Sequence, residues 1–149
     1  MKERENIVTT GKVQEVEASF RALIKSMVAL AASDRIIDER EVKVIGAIFQ
    51  DLTGELLDLD EVRAAAETFR DEHLSIEEML TNIESDIHPE FKKTIIKACY
   101  LVGLADEILV KVELKDVHKI GDHLKLDRAT VDQLITDIEK LVQAERPYH

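Results

Sequence analysis

The sequence predicts an all-α fold: a compact single-domain bundle of about seven helices with an internal pseudo-repeat. Three observations carry this. Apolar residues recur at threes and fours almost throughout, the spacing of one helix face. No stretch alternates with period two for long enough to make a strand. Five Gly and two Pro in 149 residues leave little material for the tight turns of a sandwich or barrel. That length suits one domain with its own core.

Residues 1–10 read as a flexible polar leader, and 11–149 as the helical domain. The first helix is expected over about 12–33, where Val13, Val16, Phe20, Leu23, Met27 and Leu30 share a face. The second, about 39–53, has the stripe Val42, Ile45, Ile48, Phe49 and Leu52. Asp38 with Glu41, Asp58 with Glu61 and Ser75 with Glu78 each fit a capping box. These open helices at about 39, 59 and 76, the last two running to about 73 and 86. His88-Pro89 opens the fifth, to about 105, because proline is tolerated in a first helical turn. That helix is apolar nearly all round, from Ile95 and Ile96 through Cys99, Tyr100, Leu101 and Val102 to Leu104. Such a surface predicts burial on most sides, against the first helix. A sixth helix follows at about 111–124 and a seventh at about 128–144, whose stripe Val131 to Val142 reads as core.

The chain carries a net charge of −11. That argues against a nucleic-acid partner, which requires a basic face, and against docking on an anionic membrane. A single cysteine excludes an internal disulfide and a cysteine-based zinc site. The charged start, Met1 to Asn6, leads into no hydrophobic signal core. The uncharged run Ala98 to Ala105 falls far short of the ~20 residues of a membrane span. The cytoplasm is the expected compartment, with no direct membrane insertion.

Shifted by 72 residues, the sequence partly matches itself. Ile24-Lys25 falls on Ile96-Lys97, Asp34 on Asp106, Ile36 on Ile108, Glu41 on Glu113, Lys43 on Lys115, Ile48 on Ile120 and Leu52 on Leu124. Those identities far exceed the ~2 that ordinary composition gives by chance over such a stretch. The unit is an apolar helix, a short acidic loop and an amphipathic helix.

The acidic loops are the candidate site. Asp34, Asp38 and Glu41 are spaced so that their oxygens can meet at one spot, as a hard divalent cation requires. A metal ion of the calcium or magnesium class is the cofactor such a loop would take, weakly, because three carboxylates leave the remaining ligands to carbonyls and water. Capping explains Asp38 and Glu41 without any metal, and explains Asp34 less well. The second loop keeps Asp106 and Glu113 but has Val110 where the first has Asp38. Two loops brought together by the fold would pool their carboxylates.

The apolar helix, the Ala-x-x-Asp of Ala31 to Asp34, the following Ile36 and Glu41, and the helix with Ile at threes and fours together resemble the TerB-like tellurite-resistance family. The resemblance runs from about Ala22 to Leu141, and both halves fit. It implies a seven-helix fold and a bacterial cytoplasmic protein of tellurite resistance or chemical stress. It also implies work beside membrane proteins and divalent-metal binding by the acidic residues. The family usually has Gly straight after the loop Asp, where this chain has Arg35 and Glu107. Arg35 would neutralise Asp34 internally in the metal-free alternative. That alternative is an interaction module whose acidic surface recruits a basic or membrane-complex partner.

No phosphate loop, nucleotide fingerprint or nucleophile–base pair is present, so no enzyme is expected. Cys99 reads as core. His73, His88, His118, His123 and His149 lack metal-ligand spacing and read as surface or capping residues.

Overall fold

The computed structural model describes the backbone of residues 2–32, 37–81, 87–105 and 114–145, with side chains over 17–32, 37–81, 87–104 and 114–141. Among these residues are seven helices and no strand. They are α1 (Lys2–Ala31), α2 (Glu39–Thr53), α3 (Leu59–Asp71), α4 (Ile76–Leu80), α5 (Pro89–Ala105), α6 (Leu114–His123) and α7 (Arg128–Glu145).

The helix starts follow local chemistry. Asp38 has an extended backbone, and its Oδ1 accepts the Glu41 N–H at 2.8 Å. Glu41 Oε1 accepts the Asp38 N–H in return, at 3.3 Å. Ser75 and Glu78 make the same reciprocal pair at the start of α4. Asp58 differs from expectation: its carboxylate accepts from Asp60 N–H at 2.9 Å, and it caps α3 without a reciprocal bond from Glu61. His88 caps α5, its Nδ1 accepting the Glu90 N–H at 3.1 Å. The α2 helix stops at Gly54, whose φ of 76° is left-handed, and whose N–H reaches the Gln50 carbonyl.

One helix start differs from the sequence reading. The α1 helix begins at Lys2, so residues 2–10 have helical backbone where a loose leader was expected. The stretch holds no proline, and its Lys, Glu and Arg are good helix formers. The α4 helix runs from Ile76 to Leu80 with Thr81 as its C-cap, and residues 82–86 of the helix expected to 86 lie outside the described residues.

The core is centred on α1 against α5, the most extensive helix–helix contact. Leu23, Met27 and Val28 of α1 and Ile95, Ile96 and Cys99 of α5 are fully buried. The remaining helices pack around this pair, α7 laying Val131, Leu134, Ile135 and Ile138 inward. Burial of α5 is less complete than its composition suggests. Lys97 and Leu101 are half-buried and Leu104 is 42% exposed, a stripe at helical spacing left at the edge of the bundle. Leu141 of α7 is likewise exposed. No described helix is long and apolar enough to cross a membrane.

Candidate functional site

Of the five acidic residues singled out from sequence, Asp38 and Glu41 are described; Asp34, Asp106 and Glu113 lie outside the described residues. Asp38 and Glu41 sit together because the capping box clasps them, one carboxylate oxygen of each taken by the other's backbone N–H. Asp38 is exposed, whereas Glu41 retains only 8% of its surface. The first reading of these two residues, as a cap, is therefore realised in full. A carboxylate has about four lone-pair sites, so capping leaves coordination capacity on the exposed Asp38. Two carboxylates do not make a calcium or magnesium site alone, and among the described residues no group of three or more His, Cys, Asp or Glu could hold a metal ion.

Beside the cap, Glu39 faces Arg63 of α3. Arg63 Nε donates to Glu39 Oε2 at 3.2 Å and Nη2 donates to Oε1, while Nη1 donates to Asp60 Oδ1 at 2.6 Å. The hydrogen bond from Arg63 holds the Glu39 carboxyl below the usual carboxylate range, and the two carboxylates hold the guanidinium fully protonated. This cross-link between α2 and α3 was not read from the sequence. Its partners stand 24 positions apart, and no local spacing rule connects them.

The family model described as "Tellurite resistance protein TerB" matches residues 20–136. The chain belongs to the TerB family. The matched stretch runs from the middle of α1 into α7, so it takes in both halves of the pseudo-repeat and all five acidic positions. No curated protein and no solved structure matches the chain.

Further polar ties join the second half of the chain. Tyr100 Oη donates to Glu139 Oε1 at 2.7 Å between α5 and α7, and His118 Nε2 lies 2.7 Å from Asp132 Oδ1 between α6 and α7. Cys99 is fully buried, and burial pushes its thiol well above the ordinary range, which suits a core residue.

Proposed function

We propose that this TerB-family chain serves bacterial tellurite resistance or chemical-stress response in the cytoplasm, by binding and not by catalysis. The observation that carries the reading is the family match over 20–136, which spans both acidic loops. The proposed ligand is a divalent cation of the calcium or magnesium class. Asp34, Asp38 and Glu41 would hold it, with Asp106 and Glu113 contributing from the second loop. Asp38 and Glu41 support this in one respect: the capping box orders both carboxylates before any ion arrives. The few charged ligands set the expected Kd no tighter than ~10⁻⁴ M, the weak end for calcium sites. A protein partner, associated with a membrane complex, would complete the role.

Calorimetric titration of the full chain with calcium and with magnesium tests this. Asp38→Ser keeps a cap while removing a charged ligand, so stability without metal should hold while the stabilisation gained on adding metal falls. Asp34→Asn probes a position that no cap explains. Absence of heat at millimolar cation in the wild type would overturn the cation reading and leave the acidic loops as caps and partner-facing surface.

A further inference from the structure

A groove of about 440 Å³ lies between the start of α2 and the exposed side of α3, within the ~300–1,000 Å³ range of small-molecule sites. Ile37, Val42, Ala66, Phe69 and Leu74 give it an apolar lining. The small Ala66 sits between Arg63, three positions before it, and Arg70, four positions after, and so leaves room between two long side chains. Arg63 is neutralised by Glu39 and Asp60 and forms a closed wall. The other polar groups differ. Arg70 uses its Nε on Asp71 at 3.0 Å, and its two terminal nitrogens have no partner among the described residues. Glu67 also lines the groove without a hydrogen-bond or ion-pair partner among them. Glu67 and Arg70 are three positions apart on one helix face, a spacing that commonly closes into an ion pair, yet they do not pair.

We infer that this groove binds a small zwitterion with an apolar body, of the class of a free apolar α-amino acid. The ligand carboxylate meets the terminal nitrogens of Arg70, a fork suited to a carboxylate. Its ammonium meets Glu67, and its side chain covers Ala66 and Val42. Besides the closed Arg63–Glu39 pair and the His73 ring, the groove offers one positive group, Arg70, and one negative group, Glu67, beside an apolar surface, and these match the two charges and the apolar part of such a molecule. The site uses none of the proposed cation ligands, although Ile37 of its lining belongs to the same loop, and it does not rest on that reading.

The test is NMR titration of the full chain with three probes: L-phenylalanine, 3-phenylpropionate, which lacks the ammonium, and phenethylamine, which lacks the carboxylate. L-Phenylalanine should shift the Ala66 and Val42 resonances and bind about threefold or more tightly than either singly charged probe, the modest gain expected of exposed ion pairs. Arg70→Gln should weaken L-phenylalanine and 3-phenylpropionate but not phenethylamine, and Glu67→Gln should do the reverse. Both side chains are exposed, so these variants keep the fold. Ala66→Leu should fill the groove and abolish the shifts. Equal binding of the zwitterion and either singly charged probe, or no shift from any probe at millimolar concentration, would overturn the proposal.

Discussion

Glu39 in the first turn of α2 and Arg63 in the second turn of α3 meet fork to fork, two guanidinium N–H groups on two carboxylate oxygens. The contact ties the helix that follows the first acidic loop to the helix that walls the groove. Both side chains remain substantially exposed, so the pair positions these elements more than it stabilises them. Its pH dependence has a definite sign. The folded-state pKa of Glu39 is lowered, so its contribution is present above the unfolded carboxylate pKa and fades as pH falls through the folded one. Glu39→Gln should therefore lose less stability on acidification than the wild type. Denaturant melts from about pH 7 to pH 3 measure this. Parallel curves would show that the pair contributes nothing.

Tyr100 makes the opposite prediction at alkaline pH. Burial, then the hydrogen bond to Glu139 and that group's negative charge, push its phenol up to about 12. Its contribution is complete below the unfolded value of ~10 and is lost as pH rises through the folded one. In Tyr148→Phe, which leaves Tyr100 the sole tyrosine, phenolate absorbance should rise well above that of a free tyrosine. A titration at the free value would contradict the closed Tyr100–Glu139 contact.

Core truncations should separate the two sides of α5. Ile95→Ala removes a fully buried side chain and should cost ~2–5 kcal/mol. Leu101→Ala, at a half-buried position, should cost less than that range, and exposed Lys140→Ala should stay within ~0.5 kcal/mol. Equal losses at positions 95 and 101 in urea melts would contradict the burial asymmetry.

Two helical glycines allow close packing and differ in what stands opposite. A Cβ on Gly121 would meet Val131 Cγ2 at 2.7 Å, and one on Gly46 would meet Leu59 Cδ2 at 2.6 Å. Val131 is buried and β-branched, with little rotamer freedom, whereas Leu59 is half-buried and can turn aside. Gly121→Ala should destabilise by ~1–3 kcal/mol from overpacking. Gly46→Ala should fall below that, because its gain of up to ~1 kcal/mol in helix propensity offsets a smaller strain. Thermal melts that ranked the two in reverse would contradict this packing.

Local sequence determined the helices and several of their caps, because periodicity and capping act within one or two turns. Asp38 with Glu41, Ser75 with Glu78 and His88-Pro89 mark starts that the backbone adopts, and the apolar surface of 89–105 marks the central helix. The same locality explains why Asp38 and Glu41 were legible both as a cap and as a candidate site: a capping box places two carboxylates together whatever else they do. Tertiary structure alone decided which side of α5 stays at the edge of the bundle, since Leu101 and Leu104 are no less apolar than Ile95. It also decided that Arg63 meets Glu39 and that Arg70 and Glu67 flank a groove. Those relationships depend on how α2 and α3 lie against each other, and that is set by the sum of many apolar contacts across the core and not by any short spacing along the chain.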